Sequence, residues 1–507
     1  MQRFSNLVDL LSVGAADAIA IKAPGAKPLS YAALRANLHK TVETLNRFGI
    51  GRQERVAIVL PNGPEMATAF VCIAAGATAA PLNPVYRADE FEFYLSDLQA
   101  KALVVEKGST SPAVAVAEKL NIQILELEPS AEGAGAFTLK QAKPHSAAAP
   151  ALPGLAKPED IALILHTSGT TSRPKIVPLS QINVCASACN VRDNLHLSAA
   201  DCGLNIMPLF HIHGLIAGLL APLAAGSSIY CSPGFNALKF FGWMTEAKPT
   251  WYTAVPTMHQ TILSRAPHNS EVIAANPLRF LRSSSSSMPP QVIGGLEAAF
   301  NAPLIEAYGM TEAAHQMASN PLPPAKRIPG TVGVAAGPEV AIMDEQGKLL
   351  ERGATGEIVI RGPNVTAGYE NNPKANAEAY SDGWFRTGDQ GVLDADGYLS
   401  ITGRLKEIIS RGGEKISPRE VDEVLMDHPA VHQVVTFGIP HEKLGEEVGA
   451  LVVLHEGATA SEKELREFAA IRLADFKVPR KILFKDEIPK GATGKLQRIG
   501  LAAKLGL

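Results

Sequence analysis

Short apolar runs rich in β-forming residues alternate with helical stretches over much of the first 330 residues. Two such runs, at 56–60 and 102–105, stand on either side of a helical stretch at 64–75. Parallel strands need long crossover connections, which are usually helices, so this alternation is typical of a parallel sheet. We predict a doubly wound α/β fold, with the Ala/Gly/Pro-rich segment 130–157 as a loop that joins two halves.

The character of the chain changes after Gly333. Short alternating strands separated by turns continue to Gly403 and indicate a small β-subdomain. A further region of about a hundred residues follows, which is a plausible size for an independent domain. Its first helix is marked at 417–420 by a serine N-cap, a proline at the first helical position and a capping-box glutamate.

These changes predict two domains. The first, residues 1–403, is a large N-terminal domain that combines the doubly wound sheets with the small β-subdomain. The second, residues 404–507, is a small, mobile α+β domain, and the segment around Lys406 is predicted to be the hinge. A chain of 507 residues is too long for one hydrophobic core, which agrees with this division.

The composition excludes several classes of partner. The formal net charge is −3 and no basic run occurs, so neither nucleic acid nor an anionic membrane surface is expected. The most apolar stretch, 214–230, contains Pro222 and is too short to span a bilayer, so we predict a buried helix there. The five cysteines fit neither a disulfide framework nor a zinc site. A cytoplasmic protein that binds small molecules is therefore expected.

A loop dense in hydroxyl groups and glycine follows the apolar strand at 161–165. It runs from His166 to Lys175 and reads His-Thr-Ser-Gly-Thr-Thr-Ser-Arg-Pro-Lys. Glycine lets backbone N–H groups converge on phosphate oxygens, while serine, threonine and lysine add further donors. The Walker pattern does not occur here, and a loop of this composition is often only a solvated turn, so the assignment depends on motifs downstream.

Four further motifs follow in order along the chain. They occupy 306–312, 387–389, 403–407 and 489–495. Together with the loop, they resemble the core motifs of the adenylate-forming superfamily, which contains acyl-CoA synthetases, luciferases and nonribosomal-peptide adenylation domains. The resemblance covers nearly the whole chain. It implies an enzyme that activates a carboxylic acid with ATP, as an acyl-adenylate, and then transfers the acyl group.

The resemblance also implies roles for individual residues. ATP binding is assigned to Thr167, Ser168, Gly169, Thr170, Thr171, Lys175, Glu306, Ala307, Tyr308, Gly309 and Asp389. Catalysis is assigned to Thr311 at the α-phosphate, to Glu312 as the ligand of Mg²⁺, and to Arg404 and Lys495. Because a carboxylate attacks an anionic phosphate, the reaction requires neutralised charge rather than a strong base, which suits a lysine at the α-phosphate.

The C-terminal region indicates coenzyme A as the acceptor. The segment 410–416 resembles the glycine-rich segment that lines the pantetheine tunnel of CoA ligases, which implies CoA binding by Arg411, Gly412 and Gly413. No carrier-protein segment follows Leu507, so a free-standing CoA ligase is expected. The segment around Lys495 also resembles sites of lysine acetylation in related ligases, which makes a protein lysine acetyltransferase a candidate partner.

Polar residues occupy positions where family members that act on apolar acids, such as coumarate and fatty-acid ligases, carry apolar residues. Five serines run from 283 to 287, and His315 stands where an apolar wall residue is usual. Burying such donors without partners costs about 1–3 kcal/mol each, so the expected acid is small and has a second carboxylate. That carboxylate is expected to favour an imidazolium at His315. His213 is expected to pack, and the candidate acid-binding residues are His211, Ser285, Ser287 and His315.

Several stretches narrow the substrate further. Those at 208–214, 251–257, 319–323 and 361–366 are similar to the oxalate–CoA ligases of plants and fungi. We therefore predict that oxalate, ATP and CoA are converted to oxalyl-CoA, AMP and pyrophosphate. Two alternatives stay open: a medium-chain or aromatic (coumarate-like) acyl-CoA ligase, and a nucleotide-binding sensor without catalysis. A sensor would not need the full set of catalytic residues, which counts against it.

Overall fold

The computed structural model describes residues 3–144, 148–167, 174–489 and 498–507. Proximity of Cα atoms divides the chain into two compact units. The large unit comprises Met1–Thr167, Lys175–Val340 and Ile360–Ala379, and the small unit comprises Ser168–Pro174, Ala341–Val359 and Tyr380–Leu507. Residues 403 and 404 both lie in the small unit, since the β-subdomain groups with the C-terminal residues. The domain boundary at 403/404 and the hinge at Lys406 stay predictions.

The first sheet of the large unit has seven strands. In spatial order they are Phe137–Gln141, Gln123–Pro129, Ala102–Glu106, Arg55–Val59, Thr78–Pro81, Ile161–Thr167 and Lys175–Ser180. The inner strands are parallel, and each edge strand pairs antiparallel with its neighbour. The helices around this sheet are Tyr31–Arg47, Pro64–Ala74, Ala88–Asp97 and Pro112–Lys119.

One edge strand of this sheet lies in a segment predicted to be a loop. Phe137–Gln141 pairs antiparallel with Gln123–Pro129 and buries Phe137 and Leu139 on one face. The loop prediction for 130–157 is therefore wrong at this point. A two-residue alternation over five residues is too short a signal to stand out from Ala- and Gly-rich surroundings.

The second sheet of the large unit has nine strands. Their order is Val334–Ala335, His315–Ser319, Leu304–Met310, Phe280–Ser283, Trp251–Ala254, Cys202–Asn205, Ser228–Cys231, Ile19–Lys22 and Leu29–Ser30. The five strands from Leu304–Met310 to Ser228–Cys231 are parallel. The helices here are Leu7–Leu11, Gln181–Asn194, Phe240–Ala247, Pro256–Arg265, Ser270–Ala275 and Pro290–Phe300, and the large unit also contains the helix Pro373–Ala379. The two sheets with their helices confirm the doubly wound α/β prediction.

The most apolar stretch of the chain is only partly helical. A π-helix, His213–Leu220, continues into the α-helix Ala221–Ala224, and the chain then reverses at Gly226 with a φ of 70°. The rest of the stretch forms the buried strand Ser228–Cys231, so a helix through residue 230 is wrong. None of the helices in the described parts of the chain has the length and apolar character that crossing a bilayer requires.

Two further five-stranded sheets are built mostly from residues of the small unit. The first consists of Glu339–Met343, Thr355–Arg361, Trp384–Leu393, Tyr380–Ser381 and Leu399–Arg404. The second consists of Glu414–Ile416, Ile409–Arg411, Gly445–Leu454, Val431–His441 and Lys481–Phe484. The helices Pro418–Met426, Glu462–Ala470 and Leu501–Lys504 accompany the second sheet. This is the expected α+β composition for the C-terminal region.

The first helix of the C-terminal region begins as its sequence predicts. Ser417 is the N-cap, its hydroxyl accepts from the backbone N–H of Glu420 over 3.4 Å, and Pro418 opens the helix. The Glu420 carboxylate, however, accepts from the ammonium of Lys477 at 2.7 and 2.8 Å. A lysine from a distant segment thus engages the side chain that the local pattern assigns to a capping box.

Candidate active site

Two neighbouring parallel strands of the nine-stranded sheet, Phe280–Ser283 and Leu304–Met310, carry much of the predicted site at their carboxyl ends. In open α/β sheets, ligands bind beyond these ends of the strands. Leu304–Met310 continues through the 3₁₀ turn Thr311–Ala313 and returns as the antiparallel strand His315–Ser319. The turn therefore brings Thr311, Glu312 and His315 to the end of the sheet where Ser285 also lies.

The backbone around this turn is strained. Ser285, Ala314 and His315 have φ values of 75°, 45° and 98°, a region that residues with a Cβ rarely adopt. A Cβ on Gly309 would lie 1.8 Å from the carbonyl oxygen of His315, so glycine is required there for the turn to close. Strain of this kind persists where the surrounding structure enforces it, and it concentrates at functional sites.

Arg282 is the centre of a buried polar network beside the turn. It lies on Phe280–Ser283 and has no exposed surface. One terminal nitrogen, Nη2, donates to Nε2 of His315 and to Oε1 of Gln316, both over 3.0 Å. The other, Nη1, donates to Nε2 of His213 over 3.2 Å and to the hydroxyl of Thr253 over 3.3 Å. All four partners are neutral hydrogen-bond acceptors.

The positive charge of Arg282 lacks a counter-ion in the described protein. Burial lowers the pKa of its guanidinium to about 9, which leaves it cationic at neutral pH. Within the described ranges no carboxylate forms an ion pair with it, and its Nε and the nearby Gln316 Nε2 are buried without a hydrogen-bond partner. A buried charge is normally paired, because an unpaired one is costly. The network is therefore suited to binding an anion.

The two histidines of the network are neutral. Their rings stack with centroids 4.9 Å apart. Burial, together with the neighbouring Arg282 cation, holds the pKa of both His213 and His315 well below its ordinary value. Since arginine only donates, Nε2 of each ring must accept, and the proton of His213 lies on Nδ1, 3.0 Å from the hydroxyl of Ser285. Both rings are thus neutral in the protein without an acid, where Arg282 supplies the charge, and an imidazolium at His315 beside a bound carboxylate stays a prediction.

The other candidate acid-binding residues occupy different positions. Ser285 joins the network through His213. Ser287 is exposed at the surface of the large unit, and the hydroxyl of Ser284 donates to the carbonyl of Ala307 over 2.9 Å. His211 is half-buried and packs against Phe210, with ring centroids 4.6 Å apart.

The large unit also carries nucleotide-binding candidates. Thr167 and Lys175 are paired residues on adjacent strands, and Ser168, Gly169, Thr170 and Thr171 lie outside the described residues. Glu306, Ala307, Tyr308 and Gly309 belong to Leu304–Met310, where the Glu306 carboxylate accepts from the N–H of Gly330 over 3.1 Å. The buried Glu312 accepts from the hydroxyl of Tyr369 over 2.8 Å.

The small unit carries the remaining candidates. Nε of Arg404 donates to Oδ1 of the buried Asp389 over 3.0 Å, from the strand paired beside it. Arg411 makes a two-pronged ion pair with Glu447 at 2.5 and 3.0 Å, and Gly412 and Gly413 form the hairpin turn that follows it. Lys406 is exposed in the 3₁₀ turn Leu405–Glu407, and Lys495 lies outside the described residues.

Comparison with known proteins identifies the family of the chain. Residues 13–370 match the model of the AMP-binding enzyme family, and residues 420–495 match that of the AMP-binding enzyme C-terminal domain. The chain belongs to the AMP-binding enzyme family. This family match, together with CoA-ligase relatives that are 46% and 43% identical to the chain, shows that it is an ATP-dependent acyl-CoA ligase.

Relatives within the AMP-binding family extend over nearly the whole chain. The chain is 46% identical to the oxalate–CoA ligase of Arabidopsis thaliana, over 97% of each protein. It is 43% identical to the oxalate–CoA ligase of Saccharomyces cerevisiae, over 88% of this chain and 86% of the relative. Its structure is similar to that of ATP-bound MatB from Rhodopseudomonas palustris, with a TM-score of 0.88, 30% identity and 99% coverage of both chains.

Four members of the polar network were not among the candidates taken from the sequence of this AMP-binding enzyme, namely Arg282, His213, Thr253 and Gln316. Arg282 had one available signal, a cation at the carboxyl end of an apolar strand next to a serine run. His213 was expected to pack, yet its ring contacts Arg282, Thr253 and Ser285. Their shared environment depends on contacts between residues that are 29 to 72 positions apart in the sequence.

The pH dependence of this AMP-binding enzyme is expected to reflect Arg282 rather than the histidines. The cation is present below its pKa of about 9, so kcat/KM for oxalate should be constant between about pH 6 and pH 8 and fall above pH 9. Acetate has no second carboxylate to pair with Arg282, whereas titration of lysines should affect both acids alike. The ratio of kcat/KM for oxalate to that for acetate therefore reports the titration of Arg282 alone. Among the described residues, the titratable groups that act on the neighbouring His213 are His315, Arg282, His259 and His211. An acid limb near pH 6.5 that disappears in His315→Val would contradict the neutral assignment.

Proposed function

We propose that the enzyme is an oxalate–CoA ligase, which converts oxalate, ATP and CoA to oxalyl-CoA, AMP and pyrophosphate. One observation carries this proposal: the buried Arg282 cation, whose partners among the described residues are neutral. Oxalate keeps one anionic carboxylate after the other has been joined to AMP. That carboxylate is the counter-ion that Arg282 lacks, and the two oxalate–CoA ligase relatives support the same substrate.

The reaction proceeds in two steps, adenylation of the acid and then thioester formation. In the first, a carboxylate oxygen attacks the α-phosphorus of ATP, an O–P bond forms, and pyrophosphate leaves with the electron pair of the broken P–O bond. Thr311 and Lys495 are proposed to stabilise the charge that accumulates there. In the second, the CoA sulfur attacks the activated carbonyl carbon, AMP leaves, and the thiol proton passes to solvent. Asp389 and Arg404 are proposed to hold the ribose and the phosphate through both steps.

The acyl site is proposed to orient oxalate through Arg282. A guanidinium can offer two parallel N–H groups to one carboxylate, which fixes direction as well as charge. His213 and His315 accept from the same guanidinium and limit its rotation. An aliphatic or aromatic acyl chain would leave the cation unpaired in an apolar contact, which disfavours a medium-chain or coumarate-like substrate.

Mg²⁺ is proposed to bind at Glu312 together with the ATP phosphates. The residue suits this ion, because Mg²⁺ in nucleotide sites is commonly held by one or two carboxylates and by substrate oxygens. The Glu312 carboxylate is buried at the carboxyl end of Leu304–Met310 and oriented by the Tyr369 hydroxyl. When bound, the ion would neutralise phosphate charge. Thr311, beside Glu312 in the same turn, is left to contact the α-phosphate.

Pyrophosphate release with a panel of acids tests the proposed function. Oxalate is expected to give the highest kcat/KM, ahead of malonate and acetate, with octanoate and coumarate lowest. A preference for octanoate or coumarate would contradict the substrate assignment and leave the general ligase. An absence of acid-dependent pyrophosphate release with every member would refute oxalate as the substrate of the ligase.

Removal of the His315 imidazole is expected to weaken oxalate turnover. His315→Val takes away an acceptor that holds Arg282 and a ring N–H that can face the acid, so activity on oxalate should fall about 10²-fold. ATP binding, measured by calorimetry, should stay near wild type. His268 is exposed on a distant helical turn, so His268→Val serves as the control and should change neither quantity. Indifference of oxalate turnover to His315→Val would contradict the role of this side chain.

Further assignments accompany the proposal. CoA is proposed to contact the hairpin that contains Arg411, Gly412 and Gly413, with Arg411 sharing its guanidinium between Glu447 and the incoming ligand. Lys406 is proposed as the hinge of a mobile C-terminal domain. A cytoplasmic location and a lysine acetyltransferase acting at Lys495 stay predictions from the sequence.

A further inference from the structure

Tyr369 lies between two side chains assigned to the nucleotide site. Its hydroxyl donates to Oε1 of Glu312 over 2.8 Å. The ammonium of Lys175 lies 4.2 Å from the centroid of its ring. One buried side chain therefore contacts an anion through its hydroxyl and a cation through its aromatic face.

The position of Tyr369 is fixed by its backbone. Its N–H donates to Oδ1 of Asn376 over 2.7 Å, and its carbonyl accepts from Nδ2 of the same residue over 2.8 Å. The next residue, Glu370, donates its N–H to the carbonyl of Ile176, directly after Lys175. Thr366 donates its N–H to the carbonyl of Glu312 over 2.8 Å. The segment is thus tied both to the strand that carries Lys175 and to the turn that carries Glu312.

The position of Tyr369 keeps the Lys175 ammonium and the Glu312 carboxylate from pairing with each other. In a partly buried site, a lysine and a glutamate attract each other strongly, and an ion pair between them would compete with phosphate and metal. Tyr369 offers the ammonium a cation–π contact and the carboxylate a charge-assisted hydrogen bond. Within the described part of the chain, Lys175 forms no ion pair with a carboxylate.

We propose that Tyr369 is a positioning residue that orients Glu312 for Mg²⁺ and keeps Lys175 available for the ATP phosphates. The inference deepens the proposed function and rests on its assignment of Glu312 to the metal. Its proposed role includes no contact with the acid, ATP or CoA. It acts through the two side chains on either side of it.

Two substitutions separate the two contacts. Tyr369→Phe removes the hydroxyl and keeps the ring, so the Mg²⁺ concentration for half-maximal ATP binding should rise about 10-fold while ATP binding in EDTA stays within about twofold. Tyr369→Leu removes both contacts, frees Lys175 to pair with Glu312, and should also weaken ATP binding in EDTA about fivefold. Calorimetric titration of ATP at a series of Mg²⁺ concentrations measures both quantities without turnover.

A matched pair elsewhere in the large unit provides the control. The hydroxyl of Tyr230 donates to Oε2 of Glu246 over the same 2.8 Å, in a part of the fold with no assigned role in the reaction. Tyr230→Phe is expected to leave the Mg²⁺ dependence unchanged. An equal shift in both Tyr→Phe variants, or no shift in Tyr369→Phe, would overturn the positioning role.

Glu312→Gln distinguishes failure of the inference from failure of the proposed function. A raised Mg²⁺ requirement in Glu312→Gln, without one in Tyr369→Phe, refutes the role of Tyr369 alone. An unchanged Mg²⁺ requirement in Glu312→Gln refutes the metal assignment, and the inference with it. A raised Mg²⁺ requirement in Glu312→Gln and in Tyr369→Phe supports the metal assignment as well as the role of Tyr369.

Discussion

Replacement of Arg282 by methionine is expected to lower kcat/KM for oxalate about 10³-fold. Removing one partner of a buried charge pair costs about 3–5 kcal/mol, and each 1.4 kcal/mol is a factor of ten in rate. Methionine fills similar space without charge or hydrogen bonds. ATP binding should change little, because the guanidinium contacts only His213, Thr253, His315 and Gln316 among the described residues. Pyrophosphate release against oxalate concentration measures the loss.

Two further variants make this result interpretable. Arg279 lies just before the same strand, is partly exposed and pairs with Asp201 at 2.5 Å, so Arg279→Met should stay within about threefold of wild type. Arg282→Lys keeps the charge but loses the planar fork, so an intermediate loss of about 10²-fold is expected. Wild-type kcat/KM for oxalate in folded Arg282→Met would remove the main support for a dicarboxylate substrate.

Lys495→Ala is expected to abolish the first half-reaction selectively. Removing one preorganised donor from a site where negative charge accumulates typically costs 10²- to 10³-fold, and a cation at the α-phosphate belongs at the upper end of that range. Thioester formation from supplied oxalyl-adenylate and CoA should remain within about threefold of wild type, because that step breaks the bond to AMP without pyrophosphate. Rapid-quench measurement of each half-reaction separates the two effects.

The converse variant tests the hinge. Lys406→Pro restricts φ in a turn where the Lys406 side chain is exposed, so the fold should tolerate it. If the C-terminal domain rotates about this residue, Lys406→Pro should impair thioester formation more than adenylation. Equal loss of both half-reactions in Lys495→Ala would refute a domain rotation between them.

Local patterns predicted the elements whose signals are contained in short stretches of sequence. Alternating runs identified the doubly wound sheets, and Ser417 with Pro418 marked the start of a helix, since capping depends on near neighbours. The same logic fails at Glu420, because Lys477 competes for its carboxylate from 57 residues away. The strand Phe137–Gln141 was missed because its pairing partner, rather than its own composition, stabilises it.

The polar surroundings of His315 were predicted from the sequence in character but not in detail, and their role in binding an acid stays a prediction. The serine run and His315 indicated a polar pocket, but the charge in it comes from Arg282. The residues next to Arg282 in the sequence do not indicate that it is buried. Its burial comes from the neighbouring strands and from the π-helix that contains His213. The neutral state of His315 results from its burial beside Arg282. It could not be predicted from the sequence, because the candidate residues did not include Arg282.

The buried charge of Arg282 also affects the lifetime of the protein in the presence of proteases. A guanidinium enclosed by neutral partners lowers the stability of the native state, and a dicarboxylate that pairs with it binds the native chain but not the unfolded one. Unfolded chains are the form that proteases remove, so the fraction of protein degraded depends on how much acid is bound. The amount of enzyme is then expected to rise and fall with the supply of its substrate, without any change in the rate of its synthesis.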